Sequence, residues 1–538
     1  MLCQCVNKLS KVLGITLLLI LSWFWISDGI NRISNGAIFF DDSYNAQVSA
    51  NVSDTGVYKV DYPSDIIFYN RITTGPTVLL PTALAYSLLG ISNFSTALVP
   101  FLYSIVAILL IFLLAYFSFD AYEHRLLVAS VVTCSCVLSS TWLIYLSSIL
   151  LGEIAALSFT LLSVLFLAVS EWQEGRWKEL ALIASGYFLA FSFVSKTSQI
   201  FMCLVMLLLL LLRTVFRRQF KLRHLIVYFL GFFLGLFTWD IYRAAQFGDY
   251  AAVFGWWGNE WQNMFSQTRT SGLFDNFAIE KIRTRFLYLH QVINEPNWLI
   301  ALFLLIPLVM LTVYLFSRSG KIRRIVPVIF LGVMSDSLLI YYVFFGADGL
   351  TYGRRLSVYG ECLVFANVII AAFLLVKSFA DKNLLKLWGI SNYVALICVC
   401  AYPVVAGNIA SLRSTDSMSV QYIAAQDISA FIKKLPSDST FYGYGWWQAP
   451  EVSLLSGKKF KDISAYYHNM KGIDFKNSYL IVGCIVKPPV WVWKGNFDSY
   501  LNQLFDTEVV YKDRNYERQK LFMVYKLLGV STNKNKVY

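Results

Sequence analysis

The chain has 538 residues, of which 57% are hydrophobic and only 14% are charged, and its mean hydropathy is +0.57. Soluble globular proteins carry about 25% charged residues, so this composition excludes that class and indicates a polytopic membrane protein. The net charge of +12 does not predict nucleic-acid binding. Much of the excess lies in short loops between hydrophobic segments, where basic residues set the orientation in the membrane.

Hydrophobic segments of membrane-spanning length recur along the chain. A transmembrane helix needs about 20 mostly apolar residues. Segments that approach this length lie near residues 10–27, 97–118, 126–144, 153–170, 179–195, 198–216, 225–242, 298–316, 325–346, 357–376 and 388–408. Lys8 and Lys11 precede the first segment and no small-residue cleavage site follows it, so we expect an uncleaved signal anchor. The predicted fold class is a polytopic α-helical membrane protein with about eleven transmembrane helices.

The distribution of basic residues predicts the orientation of these helices. With the N-terminus in the cytoplasm, the even-numbered connections hold most of the Lys and Arg, and such an excess marks the cytoplasmic side. These residues include Arg125, Arg176, Lys178, Arg213, Arg217, Arg218, Lys221, Arg223, Arg318, Lys321, Arg323, Arg324, Lys377, Lys382 and Lys386. We therefore expect a multi-pass protein of the plasma or inner membrane, with larger polar segments outside at 28–96, 243–297 and 409–538.

The first two outer segments contain local structure. Ser43 to Thr55 has helix-compatible spacing. The apolar stretch from Pro76 to Gly90 is too short to span a bilayer and predicts an interfacial helix ended by Gly90. Residues 243–297 carry a cluster of Trp and Phe side chains, which is typical of the headgroup region.

Near residue 411 the long apolar segments end and a more polar C-terminal segment begins. It alternates two helix-like stretches with short strand-like ones. The helix-like stretches are Val420–Lys434 and Phe497–Leu504, and the strand-like ones are Thr440–Tyr444, Tyr479–Val482, Val509–Lys512 and Leu521–Tyr525. The sequence thus predicts a transmembrane catalytic domain at 1–408 and a small mixed α/β domain outside the membrane at 409–538.

Charged residues at the outer ends of the predicted helices are the candidate functional groups, because charge at membrane depth is costly. They are Asp41, Asp42, Glu153, Lys196, Asp240, Arg354 and Arg355. A carboxylate can take a proton from an attacking hydroxyl or hold a divalent metal. Arg and Lys can bind a phosphate and stabilise charge on a leaving phosphate. These are the groups needed to transfer a unit from a phosphate carrier to a hydroxyl, and we expect them to converge at the outer membrane surface.

Several of these residues also have a purely structural interpretation. Glu153 opens a predicted helix, where an anion simply favours the N-terminus. Lys196 can extend along the helix end to reach the interface. Arg354 and Arg355 lie on the side where cations are disfavoured, so a bound anion is an equal interpretation. Asp336 lies mid-span, and we expect a buried hydrogen-bonded group rather than a catalytic one.

The motifs and their order resemble the GT-C superfamily of integral-membrane glycosyltransferases, which includes protein O-mannosyltransferases and aminoarabinose transferases acting on lipid A. The resemblance covers residues 10 to 408. It rests on layout and on short motifs, namely Phe40-Asp41-Asp42-Ser43-Tyr44, Thr74-Gly75-Pro76-Thr77, Glu153, Ser195-Lys196-Thr197 and Tyr352-Gly353-Arg354-Arg355-Leu356. Asp42 stands where many members have Glu, and no Arg-Tyr pair occurs at 354–355, so the subfamily stays open.

The resemblance implies a mechanism. A sugar on a polyprenyl phosphate docks with its phosphate near Lys196 and Arg354 or Arg355, and an acceptor hydroxyl attacks the anomeric carbon with inversion. Asp41 is the expected general base, and Asp42 and Glu153 position the acceptor or a divalent metal, whose use the family leaves open. The acceptor is a glycolipid, a polysaccharide or a protein outside the cytoplasm. The partners implied are the lipid-linked donor, that acceptor and membrane lipid, without nucleic acid.

Two other functional classes are alternatives to a glycosyltransferase. A transporter or flippase of an envelope lipid or glycan predicts midplane charges and two related halves. Asp336 is the one clear midplane charge in the sequence, and the halves show no such relation. A polysaccharide polymerase or ligase with one large outer loop is the third interpretation, and the early acidic pair disfavours it.

Overall fold

The protein is represented by a computed structural model. It describes residues 2–35, 41–61, 66–69, 72, 74–120, 122–216, 220–269, 297–316, 324–345, 359–360, 362–374, 420–443, 450–463, 473, 475–483, 504–512 and 522–531. The chain divides into two compact units. The first unit comprises Met1–Ser34, Thr73–Pro81 and Ala97–Thr415, and the second comprises Asn35–Ile72, Thr82–Thr96 and Asp416–Tyr538.

Helices make up most of the described chain, with short strands in the polar segments. The helices are α1 (Leu2–Asn35), α2 (Asp41–Thr55), α3 (Pro76–Leu89), α4 (Asn93–Ser118), α5 (Arg125–Ser139), α6 (Thr141–Leu146), α7 (Glu153–Trp172), α8 (Gly175–Ser195), α9 (Ile200–Phe216), α10 (Leu222–Phe247), α11 (Tyr250–Arg269), α12 (Asn297–Phe316), α13 (Val326–Phe345), α14 (Cys362–Leu374), α15 (Val420–Lys433) and α16 (Pro450–Ser456). The strands are β1 (Lys59–Val60), β2 (Ile66–Ile67), β3 (Thr440–Gly443), β4 (Phe460–Asp462), β5 (Ser478–Gly483), β6 (Phe505–Lys512) and β7 (Phe522–Val530).

The prediction of a polytopic helical membrane protein is confirmed. Within the described residues, six helices are long and apolar enough to cross a membrane, and they are α1, α4, α7, α8, α9 and α10. Shorter apolar helices follow at α12, α13 and α14, on the predicted segments. The segment at 388–408 lies outside the described residues, so the count of eleven stays a prediction.

One predicted hydrophobic segment, 126–144, is divided in the structure. α5 ends at Ser139, and Ser140 adopts an extended conformation between α5 and α6. The Ser140 hydroxyl accepts a hydrogen bond from the Leu143 backbone N–H, which makes it the N-cap of α6. Serine favours this position because its side chain satisfies a donor that the first helical turn leaves unpaired. Hydropathy alone did not separate these two helices.

Small residues bring α7, α8 and α10 together in the first unit. A Cβ atom on Gly186 would lie 2.1 Å from the Tyr228 carbonyl oxygen, and one on Gly231 would lie 2.1 Å from the Ile183 carbonyl oxygen. The hydroxyls of Thr160 and Ser192 lie 2.7 Å apart between α7 and α8. Close backbone approach at small residues and hydroxyl hydrogen bonds are the usual contacts between membrane helices.

The second unit contains a five-stranded mixed sheet in the order β4-β3-β5-β7-β6. β3 is parallel to β4 and β5, whereas β7 is antiparallel to β5 and β6. The predicted small C-terminal mixed domain is confirmed, although β4 and α16 escaped prediction because both are short. The predicted helix at Phe497–Leu504 lies almost entirely outside the described residues.

Residues from the first segment that is predicted to lie outside also contribute to the second unit. α2 packs against β1 and against α16. The Gln47 side chain donates to the Pro450 carbonyl at 3.4 Å, and Lys459 Nζ lies 3.2 Å from an Asp61 carboxylate oxygen. The helix predicted from Ser43 to Thr55 is thus confirmed, and it begins two residues earlier, at Asp41. The helix predicted to end at Gly90 is also confirmed, since Gly90 has φ +74° directly after α3.

Substitution of Gly186 by leucine should destabilise the first unit. The added side chain meets the α10 backbone, and overpacking of this kind costs about 1–3 kcal/mol. We expect a lower thermal midpoint of the purified protein in detergent. Gly258→Ala on α11 is the matched control because nothing lies within 4 Å of its added Cβ. Equal midpoints for Gly186→Leu and the parent would contradict this account of the helix contact.

Candidate functional site

The link between α8 and α9 presents the first candidate residue. Apolar residues on both sides form the two helices, and Ser195-Lys196-Thr197 interrupts them. Lys196 adopts an extended backbone conformation (φ −153°, ψ 116°), and a 3-10 turn over Thr197–Gln199 leads into α9. The polar break in the sequence is therefore a break in helical structure as well.

The predicted Gly-Pro element pairs with this link inside the first unit. Thr74 and Lys196 form an isolated antiparallel β-bridge, and the Gly75 N–H donates to the Ser195 carbonyl at 2.9 Å. The hydroxyls of Thr77 and Ser195 lie 2.7 Å apart. Gly75 has no room for a side chain, because a Cβ atom there would lie 1.7 Å from the Val194 carbonyl oxygen. Two motifs that are about 120 residues apart in sequence thus form one backbone contact.

Lys196 and Glu153 form a buried ion pair. Lys196 Nζ lies 3.1 Å from Glu153 Oε1, and the two residues are 5% and 1% exposed. Glu153 is the first residue of α7, as predicted. Gly152 directly before it lets the Ser195 carbonyl approach, since a Cβ atom on Gly152 would lie 2.2 Å from that oxygen. The attraction between the two charges offsets part of the cost of removing them from water.

Residues 74–77, 152–153 and 195–197 together are called the lysine cluster below. Among the residues that the structure describes, Glu153 Oε2 has no hydrogen-bond partner, and neither amide atom of the buried Gln199 has one. Buried polar groups are normally hydrogen-bonded, so these atoms can still donate to or accept from a polar group that enters the cluster. Tyr359, also buried, lies within electrostatic range of Glu153.

Helix α11 packs beside the lysine cluster through an aromatic and charged patch. Asp240 forms an ion pair with Arg243 and accepts from the Trp257 indole N–H at 3.1 Å. The Arg243 guanidinium lies 3.7 Å from the centre of the Trp256 ring, and Trp257 stacks on Phe193 of α8. The tryptophans predicted to lie in the headgroup region therefore also pack against protein. Of this aromatic group, Phe254 and Trp261 stay exposed.

Glu260 is a site residue that the sequence analysis missed. It is 2% exposed, and its carboxyl group accepts a hydrogen bond from the Thr197 hydroxyl. Burial raises the pKa of Glu260 to about 7, although that hydrogen bond and the Arg243 charge act in the opposite direction. The spacing in the sequence could have indicated Glu260, because it lies three residues after Trp257 and therefore on the same face of a helix.

The acidic pair lies in the second unit. α2 begins at Asp41, whose side chain lies outside the described residues. Asp42 is 3% exposed. Burial raises the pKa of the Tyr86 phenol on α3, and the negative charge of Asp42 raises it further. α2 buries an unusually polar set of side chains, namely Asp42, Ser43, Asn45, Gln47, Ser49 and Asn51. α2 also buries Tyr44, Ala46 and Val48, so polar and apolar side chains are packed together around it.

The remaining predicted residues give a mixed outcome. Arg354 and Arg355 lie outside the described residues, so their role stays a prediction. Asp336 is buried within α13 as expected, but the expected hydrogen bonds to its carboxyl oxygens are not found in the described part of the chain. No group of three or more His, Cys, Asp or Glu side chains that could hold a metal occurs among the described residues. Asp42 and Glu153, the predicted metal ligands, belong to different units.

The sequence pattern of the dolichyl-phosphate-mannose-protein mannosyltransferase family matches residues 74–242, which contain the lysine cluster. Among curated proteins no sequence matches the chain.

Solved structures share the fold. ArnT from Cupriavidus metallidurans is similar in the apo state (TM-score 0.52, 12% identity, 95% of this chain and 97% of that chain covered). The same protein bound to undecaprenyl phosphate is also similar (TM-score 0.57, 12% identity, 94% and 97% covered). The oligosaccharyltransferase from Archaeoglobus fulgidus, tethered to an acceptor peptide, has a TM-score of 0.50 at 11% identity, with 92% and 72% covered. The predicted resemblance to GT-C glycosyltransferases is confirmed.

Substitution of Gly152 by alanine should displace the lysine cluster. Gly152 has helical dihedral angles (φ −72°, ψ −13°), so alanine causes no backbone strain, and only the collision with the Ser195 carbonyl acts. An overpacked site of this kind costs about 1–3 kcal/mol. We expect Lys196 to react severalfold faster with an amine-modifying reagent, as measured by mass spectrometry. Gly255→Ala, which meets open space, should leave Lys196 protected. Equal protection in both variants would contradict the close contact at Gly152.

Proposed function

We propose that this GT-C membrane glycosyltransferase moves a sugar from a polyprenyl-phosphate carrier to a hydroxyl group of an acceptor outside the cytoplasm. The observation that carries the proposal is the lysine cluster, in which three motifs of the matched region meet around one buried cation. The donor class is supported by the family description and by the undecaprenyl phosphate bound to ArnT. The acceptor is a glycolipid, a polysaccharide or a protein.

The proposed reaction is a single displacement at the anomeric carbon. The acceptor oxygen forms a bond to that carbon as its proton passes to a carboxylate, and the bond from the carbon to the phosphate oxygen breaks. The electron pair of that bond leaves with the polyprenyl phosphate, and the configuration inverts. Asp41 is the proposed general base, with Asp42 orienting the acceptor. A positioned base contributes typically 10²–10⁴-fold to the rate.

Lys196 is the proposed cation for the donor phosphate, together with Arg354 or Arg355. Its pairing with Glu153 fixes the ammonium group before the donor arrives, so little side-chain entropy is lost on binding. The charges of Lys196 and Glu153 cancel each other. A phosphate bound beside Lys196 therefore adds a negative charge that the pair does not balance, and the arginines would supply the missing positive charge. We therefore expect all three cations to contribute.

The C-terminal domain has a proposed supporting role. Within the second unit, α16 packs against α2, which begins at the acidic pair. The domain would thereby hold the helix that carries the proposed base. In the proposed orientation the N-terminus is cytoplasmic and the C-terminal domain is extracytoplasmic, in agreement with the distribution of basic residues.

Replacement of Asp41 or Asp42 by asparagine should abolish sugar transfer in the cell. Deletion of the gene in the source organism, followed by mass analysis of its surface glycans, should reveal one missing sugar. We expect the parent gene to restore that sugar and Asp41→Asn to fail, because an amide cannot accept the acceptor proton. Asp54→Asn, at the exposed far end of the same helix, is the matched control and should restore it. Full restoration by Asp41→Asn and by Asp42→Asn would remove the catalytic assignment.

Neutralisation of the lysine cluster should weaken binding of the lipid phosphate. Lys196→Met alone would leave Glu153 buried without its partner, at a cost of about 3–5 kcal/mol. The informative variant is therefore Lys196→Met combined with Glu153→Gln.

We expect the Kd of this double variant for undecaprenyl phosphate to rise roughly 10- to 100-fold, since a hydrogen bond to a charged group contributes about 1.5–3 kcal/mol. Arg354→Ala and Arg355→Ala should act in the same direction. Lys459→Ala, at an exposed cation of the second unit, is the control. An unchanged Kd in the double variant and in both arginine variants would place the phosphate site elsewhere.

A further inference from the structure

We propose that Glu260 is a positioning residue for donor binding, which acts through Thr197 on the link that presents Lys196 to the phosphate of a lipid carrier. This inference rests on the proposed function, and it adds a residue from the second large outer segment. The residues of the lysine cluster all come from other parts of the chain.

The first step is the contact itself. The Thr197 hydroxyl donates to one carboxyl oxygen of Glu260, and within the described residues the other oxygen, Oε2, has no hydrogen-bond partner. Thr197 follows Lys196 directly and begins the 3-10 turn. A side chain that fixes Thr197 therefore limits the backbone movement of Lys196. Misplacement of a binding group by about 1 Å is enough to reduce function strongly.

The second step is the rigidity of the helix that carries Glu260. Within the first unit, α11 is held against α8 and α10 by the stack of Trp257 on Phe193 and by the hydrogen bond from Trp257 to Asp240. Arg243, which is ion-paired with Asp240, lies against the Trp256 ring. These contacts surround the helix segment that presents Glu260, so its carboxyl group is supported from α8 and α10. A buried carboxyl on a supported helix is suited to orient a neighbouring turn.

The third step is the charge of Glu260. Arg243 of α10 is the charged side chain that acts on it, while Lys196, next to Thr197, is paired with Glu153. Burial raises the pKa of Glu260 to about 7, so the carboxyl is mainly neutral below that pH and mainly charged above it. The neutral form adds no negative charge beside a bound phosphate, whereas the charged form opposes the phosphate. Donor binding should therefore weaken as the pH rises through about 7.

The test uses the purified full chain in detergent and undecaprenyl phosphate as the probe. Equilibrium binding is measured across the range from about two units below to about two units above neutral pH, for the parent, Glu260→Gln and Glu260→Ala. Glutamine keeps an oxygen that accepts from Thr197 but cannot ionise. The ionisation of the lipid phosphate is common to all variants, so the ratio of parent to Glu260→Gln isolates the charge of Glu260. Asn259→Ala, at an exposed position of the same helix, is the control.

We expect the Kd of the parent, relative to Glu260→Gln, to rise roughly five- to tenfold from the acid to the alkaline end, as for one charge near another at partial burial. Glu260→Ala should raise the Kd at every pH, because the contact with Thr197 is lost. Thr197→Val should do the same, and Thr197→Ser should bind like the parent. The thermal midpoint of each variant is recorded beside the Kd.

Equal binding by the parent, Glu260→Gln, Glu260→Ala and Thr197→Val at every pH would overturn the role of Glu260 alone. Failure of the parent to bind the lipid at any pH would overturn the proposed donor instead. A Glu260→Ala variant that no longer folds leaves Glu260→Gln and the two Thr197 variants to decide the outcome.

Discussion

The buried ion pair between Glu153 and Lys196 is the interaction on which the first unit's polar architecture depends. Two charges removed from water cost several kcal/mol each unless they meet at close range with good geometry. The pair satisfies this condition at 3.1 Å only because Gly152 and Gly75 let the Ser195–Lys196 backbone approach α7 and the segment before α3. The glycines, the β-bridge and the ion pair therefore depend on one another, and a change in any of them affects the position of Lys196.

In the second unit, the acidic pair lies at the start of α2. α2 buries polar side chains as well as Tyr44, Ala46 and Val48, and it packs against α16 and β1. This explains why a segment near the start of the chain and a domain near its end fold together. The acidic residues of a proposed catalyst gain precision from such support, because a polar helix without partners would be free to shift.

Helix α11 lies in a segment that is predicted to be outside the cytoplasm, and its aromatic residues pack against protein as well. Its tryptophans divide their roles: Trp256 and Trp257 pack against Arg243 and Phe193, while Trp261 stays exposed. Packing of this kind excludes water from Glu260, and exclusion of water is the physical reason that its carboxyl holds a proton near neutral pH. The same desolvation strengthens every electrostatic interaction in the lysine cluster.

The sequence by itself determined the membrane class, most helix positions, the mixed C-terminal domain and the candidate motifs, because apolar length, periodicity and capping residues act over a few neighbouring positions. It also identified Glu153 and Lys196 as candidate functional residues. Only the tertiary structure decided that they pair with each other, that Thr74 forms the bridge to Lys196, and that Glu260 joins them through Thr197. These contacts depend on how α7, α8 and α11 pack, and packing between segments far apart in the chain leaves no periodic signal in the sequence.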